Sequence, residues 1–193
     1  LPETGHADIV LNAGNYHAQG YGGTHPDNFT ERALDEAARA LADLAKLAET
    51  HGAILLIEPF IQNVVNTPER FLALKEKVGS EALMCNLDLC NFYSFDAMMH
   101  PTETARHVCE TLAGHYAMAH VKDLAMAPGV HLHIDEAPLG AGVTDWPTAL
   151  RYFARDLPAD GWVILEHAKT PEDARLGLRN LRAAAAEAGV ELA

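Results

Sequence analysis

The sequence is short of the features that mark disulfide-stapled, membrane-spanning or nucleic-acid-binding proteins. It holds 3 cysteines, Cys85, Cys90 and Cys109, with no CxxC pair. That count excludes a disulfide framework, and buried reduced thiols in a cytoplasmic protein are expected. No apolar run approaches the roughly 18 residues a membrane helix needs, so no membrane partner is expected. Basic residues are scarce: 14 Lys+Arg stand against 27 Asp+Glu, a formal net charge of −13. A field of that sign repels phosphate backbones, and no basic patch offsets it, so no nucleic-acid partner is expected. Neither GxGxxG nor GxxxxGK[ST] occurs, which removes two common nucleotide cradles. No signal peptide is visible, although the chain opens on Leu1 rather than a methionine. The letters LPETG at Leu1–Gly5 match a sortase signal, but such signals need a C-terminal position. That segment reads instead as the tail of a preceding helix and a turn.

What is present is ordinary for a globular chain of 193 residues, 49% hydrophobic and 21% charged. One domain spanning residues 1–193 is expected. Short β-rich apolar runs recur at Asp8–Ala13, Ala53–Glu58, Leu83–Asp88, Tyr116–Val121 and Trp162–Glu166, with a weaker one near Glu136–Leu139. Their near-continuous hydrophobicity suits parallel strands covered on both faces. Helix starts lie between them. Thr67-Pro68-Glu69 and Thr170-Pro171-Glu172 each supply a capping hydroxyl, a proline at the first helical position and an acid in the first turn. Asp145-Trp146-Pro147 is a looser version, and Thr30-Glu31 opens a long segment that stops at Gly52. Gly79, Gly114 and Gly189 sit where helices should end.

This alternation is that of an α/β fold. The polar residues choose between an open sheet and a barrel. Glu58, Asp88, His120 and Glu166 each stand at or near the end of a different strand-like run. An active site built from several strand ends belongs to a (β/α)8 TIM barrel, whereas an open sheet concentrates its chemistry at one switch point. About six strands are visible, strands 3–8 of the eight in such a barrel. The first two βα units are expected to be absent from this chain, or supplied by another.

A carboxylate at the end of a buried strand is expensive unless something compensates it. Two Glu, one Asp and one His on one face are best explained by a divalent metal. Oxygen-rich sites with one imidazole suit Mn²⁺, Mg²⁺ or Co²⁺ better than a thiolate zinc site does. Mn²⁺ is placed first, and Zn²⁺ is kept as a further option.

These residues resemble the xylose-isomerase-like TIM barrels of sugar isomerases and epimerases. The resemblance is carried by Ile57-Glu58-Pro59, Asp88-Leu89-Cys90-Asn91, His120-Val121-Lys122-Asp123, Pro138-Leu139-Gly140-Ala141-Gly142-Val143-Thr144-Asp145-Trp146 and Leu165-Glu166-His167. It implies a metal-dependent isomerase or epimerase of a ketose or related keto-polyol, working through a metal-stabilised cis-enediolate. Glu58 and Glu166 would then be the acid/base pair as well as ligands, with Asp88 and His120 purely ligands. Lys122 and Asp123 are expected to form an ion pair at their strand end, and both count, with Asn91, as substrate-contact candidates. Asn12, Tyr16 and His17, after the first run, offer the amide, aromatic and imidazole chemistry a neutral sugar needs. Gly20, Gly22 and Gly23 suggest either a mobile lid or a plain turn. The partners implied are a small-molecule sugar and, as in many of the resembling proteins, further copies of the chain. A dehydratase or lyase of the same superfamily, acting on a keto-inositol or dehydroshikimate-like acid, is the alternative. A non-catalytic truncated-barrel subunit is another. The superfamily's endonucleases fit less well, because Asn91 and Glu136 stand where histidine ligands belong. His6, His25, His51, His100, His107, His115, His131 and His133 read as surface or loop residues. Trp146 and Trp162 read as packed against neighbouring elements.

Overall fold

A computed structural model describes residues 8–192 of the chain. The helix tail and turn expected at Leu1–Gly5, and the surface position expected for His6, lie outside the described residues. The strands are β1 (Asp8–Leu11), β2 (Ile54–Ile57), β3 (Leu83–Asp88), β4 (Tyr116–Val121), β5 (Asp123–Ala127), β6 (His133–Ala137) and β7 (Trp162–Leu165). The helices are α1 (Glu31–Thr50), α2 (Pro68–Val78), α3 (Phe95–Met99), α4 (Pro101–Thr111), α5 (Trp146–Asp156) and α6 (Pro171–Ala188). Five strands form one sheet in the order β1-β2-β3-β4-β7, with parallel register between β1 and β2 and between β2 and β3. The weak sixth run is not one of them. Its first two residues, Glu136 and Ala137, end β6, which pairs antiparallel with β5 from Asp123↔Ala137 to Ala127↔His133. Pro128-Gly129 separates these two strands, and β6 is mostly exposed, so it is a surface hairpin rather than a covered parallel strand.

The described residues divide into two compact units, 8–87 with 114–118, and 88–113 with 119–192. In the first, Thr30 caps α1 by accepting the Ala33 N–H. The helix buries Leu34, Ala37, Ala38, Leu41, Ala45 and Ala48, a stripe at helical spacing. Small alanines let α1 lie close to β2 and α2, which bring Leu55, Leu56, Ile57, Phe71 and Leu74 into the same core. Each of these large side chains contributes about 1.5–3 kcal/mol by leaving water. Thr67 caps α2, and Gly79 ends it at φ 68°, a left-handed position that glycine adopts without strain.

In the second unit α5 packs against both α4 and α6. Phe153, Leu150 and Ala149 of α5, Val108 and Ala105 of α4, and Leu181 and Ala185 of α6 are buried. The hairpin residues Leu124, Met126 and Ile134 pack on Cys90, Tyr93 and Met98. The cap signals hold: Asp145 accepts the Thr148 N–H and Thr170 the Asp173 N–H. Trp146 is 2% exposed, as expected, whereas Trp162 is 65% exposed. Trp162 opens β7, whose residues alternate between exposed and half-buried, so its ring faces solvent instead of a neighbouring element.

Candidate metal centre

Three of the expected site residues meet inside the second unit. Asp88 ends β3, His120 is the next-to-last residue of β4, and Glu166 follows β7. Each offers a ligand atom, and those atoms lie within 4.8 Å of one another. The strand geometry explains the convergence. The Glu166 N–H donates to the Val121 carbonyl at 3.0 Å, which fixes the end of β7 beside the end of β4. His120 Nδ1 lies 2.9 Å from Glu166 Oε1. Asp88 is fully buried, and its Oδ1 accepts the Cys90 N–H at 2.9 Å, opening a short 3-10 helix at Leu89–Phe92. Asn91, 6% exposed, lies in that helix.

Lys122 supplies the compensating charge. Its Nζ is 2.7 Å from Asp88 Oδ2 and 3.5 Å from Glu166 Oε2. The ion pair expected between Lys122 and Asp123 is therefore not made. Consecutive residues of an extended chain point to opposite sides, so Lys122 faces the donors and Asp123 faces away. Asp123 instead gathers the following loop. Its Oδ1 accepts N–H groups from Leu124 and Thr144 at 3.1 and 3.2 Å. Its Oδ2 accepts Gly140 N–H, Gly142 N–H and Trp146 Nε1–H at 3.0, 3.2 and 3.2 Å. The glycine at 142 is required by this arrangement: a Cβ there would lie 2.2 Å from Asp123 Oδ1 and 2.4 Å from the Leu124 carbonyl oxygen.

Glu166 is ionised at neutral pH. The hydrogen bond with His120 lowers its pKa, partial burial opposes this, and the charges of His120, Lys122 and His167 add to the lowering, leaving a net shift below the usual carboxylate range. Two carboxylates and an imidazole converging beside one ammonium fit a hard divalent cation. The Asp88 and Glu166 carboxylates share the one Lys122 ammonium, at 2.7 and 3.5 Å.

In the first unit Glu58 follows β2 and is half-buried, its N–H donating to the Leu11 carbonyl at 2.9 Å. Asn12, Tyr16 and His17 lie in the loop after β1. Asn12 donates to the Glu58 carbonyl at 3.5 Å and accepts the Gly14 N–H at 2.9 Å. The Tyr16 hydroxyl donates to Glu36 of α1, which raises its pKa. His17 Nδ1 accepts the Gln19 N–H at 3.2 Å. Buried Asn28 and Asn63 tie this loop to the one after β2: Asn28 donates to Asn15 at 2.9 Å and to the Gln62 carbonyl at 2.8 Å. Gly20–Gly22 form a short 3-10 turn.

A cavity of 220 Å³ opens beside Glu166 in the second unit, lined among others by Lys122, Glu136, His167 and Lys169. Sequence reasoning gave no role to His167 or to the hairpin residue Glu136. The available signal was the polar pair directly after the last strand, read there only as part of a motif.

A parallel sheet with carboxylate and imidazole groups gathered at its strand ends, a cluster that could hold a metal ion, is the arrangement of an α/β barrel protein. The chain belongs to the xylose isomerase-like TIM barrel family, whose sequence model matches residues 3–184. A search of the curated proteins finds no match. Among solved structures it is similar to a xylose isomerase-like TIM barrel protein from Mycobacterium smegmatis in complex with magnesium, at 19% identity and a TM-score of 0.67, covering 95% of this chain and 63% of that one. A D-tagatose 3-epimerase-like protein gives 17% identity and 0.69, with 94% and 63% covered. The probable 3-DHS dehydratase AsbF from Bacillus anthracis gives 16% and 0.65, with 91% and 62% covered. At these identities the likeness shows the fold. The chain spans about three fifths of the length of each of these neighbours. No helix among the described residues is long and apolar enough to cross a membrane.

Proposed function

We propose that the chain carries the active site of a divalent-metal-dependent isomerase or epimerase of a ketose or related keto-polyol. The observation that carries this reading is the convergence of Asp88, His120 and Glu166 beside the Lys122 ammonium. Glu58, the carboxylate that follows β2, is assigned as the fourth ligand, and Mn²⁺ as the first metal to try. When bound, the metal supplies a Lewis acid that polarises a carbonyl oxygen.

The protein's own groups do the rest. Glu166, ionised at neutral pH, accepts the proton from the carbon next to the carbonyl, and Glu58 returns one from the other side, or the two exchange roles with the substrate's configuration. Lys122 keeps two carboxylates charged in a poorly hydrated place. Asp123 is a positioning residue: it folds the Gly140–Trp146 loop beneath the end of β4, and its oxygens are already taken by that loop. Asn91, Asn12, Tyr16 and His17 remain candidates for sugar contact. The magnesium complex and the epimerase-like neighbour support this reading. Self-association and a cytoplasmic setting belong to the same proposal.

The test is proton exchange. Mn²⁺-loaded protein is incubated with a panel of ketoses in D₂O, and deuterium at the carbon beside the carbonyl is read by NMR. Incorporation in the wild type, lost in Glu58→Gln and in Glu166→Gln even when each variant is saturated with Mn²⁺, is expected. Incorporation that persists in both variants overturns the assignment. Release of water in place of proton return would make the site that of a dehydratase.

A further inference from the structure

His167 is the single non-glycine residue among the described residues with a positive φ, 54°. Such a backbone is disfavoured for a residue with a Cβ, so the surroundings must hold it there. The holding contact is Glu136 of β6, whose Oε1 lies 2.6 Å from His167 Nδ1. Its other oxygen is 3.9 Å from Lys169 Nζ. This contact engages Nδ1 and sets the ring's orientation. The second nitrogen, Nε2, is 3.9 Å from Glu166 Oε2, beyond hydrogen-bond reach. His167 and Glu136 both line the 220 Å³ cavity that contains Glu166. A strained residue, steered by a hairpin side chain, thus presents an unspent ring nitrogen next to a proposed proton-transfer group.

We infer that His167 contacts the substrate, with Glu136 as its positioning residue. This rests on the ketose reading of the site and narrows it. Nε2 hydrogen-bonds a hydroxyl of an open-chain sugar lying against Glu166. A hydroxyl both donates and accepts, so the contact forms whichever state Nε2 is in. Away from the metal donors the cavity lining sets Glu136 and Asp173 against Lys169. It offers no cationic cradle for a phosphate, so the substrate is a neutral polyhydroxy ketose and not a sugar phosphate.

The experiment compares wild type, His167→Gly and Glu136→Ala. Each protein is loaded with Mn²⁺ and titrated with D-fructose, D-tagatose and D-fructose 6-phosphate, with binding read from water-proton relaxation. Melting temperature and Mn²⁺ affinity are measured alongside. His167→Gly is expected to weaken neutral-ketose binding about 3- to 10-fold, the loss of one hydrogen bond. Its Mn²⁺ affinity should be unchanged and its melting temperature held or raised, because glycine takes that φ freely. Glu136→Ala, which frees the ring to turn, should weaken the same sugar by a smaller factor. Equal sugar affinity in wild type and His167→Gly overturns the proposal, as does a melting temperature several degrees lower with Mn²⁺ affinity lost. Tighter binding of the phosphorylated sugar overturns the assignment of substrate class. A wild type that binds Mn²⁺ but none of the three sugars overturns the ketose reading itself, a separate and recognisable failure.

Discussion

Replacing Asp123 by asparagine changes one heavy atom and should cost about as much as a core truncation. The carboxylate is 1% exposed and accepts five hydrogen bonds. An asparagine side chain keeps one acceptor oxygen. If that oxygen takes the Oδ2 position, the amide nitrogen faces the N–H groups of Leu124 and Thr144; in the other rotamer it faces three donors. At least two buried N–H groups therefore lose their acceptor. Each such loss costs about 1–3 kcal/mol, so the variant should be destabilised by about 2–6 kcal/mol. Urea unfolding followed by circular dichroism, with the slope compared between the two proteins, reads this directly. A companion variant, Gly142→Ala, should fall in the same range, because its Cβ meets the Leu124 backbone oxygen as well as Asp123. An Asp123→Asn variant within about 0.5 kcal/mol of wild type, the usual size of an exposed substitution, would refute the view that this carboxylate organises the loop.

The remaining expectations are simpler. Asp145→Ala should lower stability by about 1 kcal/mol at neutral pH through loss of the α5 cap, measured by thermal melting. Burial raises the pKa of Asp145, but hydrogen bonds from Thr102 and Thr148 outweigh it and leave the value lowered. A carboxylate with a depressed folded pKa stabilises above its unfolded pKa and loses that contribution as pH falls through the folded value. The gap between wild type and Asp145→Ala should therefore close on acidification below about pH 4. Elemental analysis of protein purified without added metal or chelator should give about one divalent ion per chain, and less in Glu166→Gln.

Much of the fold was readable because its elements announce themselves locally. Thr67-Pro68, Asp145-Trp146-Pro147 and Thr170-Pro171 carry their own start signals, and each begins a helix within a residue of the expected place. The five sheet strands are apolar runs, but only β2, β3 and β4 are buried as covered strands; β1 and β7 alternate between exposed and half-buried. The hairpin was not readable in the same way. Its β6 alternates in burial only weakly, and a single residue, Lys122, separates its partner β5 from β4, so β4 and β5 look like one run. The convergence of Asp88, His120 and Glu166 was legible from polar groups standing at the ends of apolar runs. The partners of Lys122 and Asp123 were not, because spacing gives proximity along the chain but does not give the side toward which each side chain points.

That Lys122 points at the donors has a thermodynamic consequence for metal binding. The ammonium, 7% exposed, sits 2.7 Å from an Asp88 carboxylate that is fully buried. Without metal, Lys122 is what keeps that carboxylate tolerable, and removing one partner of a buried pair costs about 3–5 kcal/mol. A divalent ion bound by Asp88 and Glu166 takes over this role, and it is repelled by the same ammonium. Lys122→Met should therefore destabilise the metal-free protein and bind Mn²⁺ no more weakly than wild type does. The rise in melting temperature from EDTA to saturating Mn²⁺ should be larger in Lys122→Met than in wild type, because an ion no longer repelled by the ammonium binds the native variant more tightly. An equal rise in both proteins would mean that Lys122 and the ion do not share the same carboxylates. No rise in either would remove the metal from this site altogether.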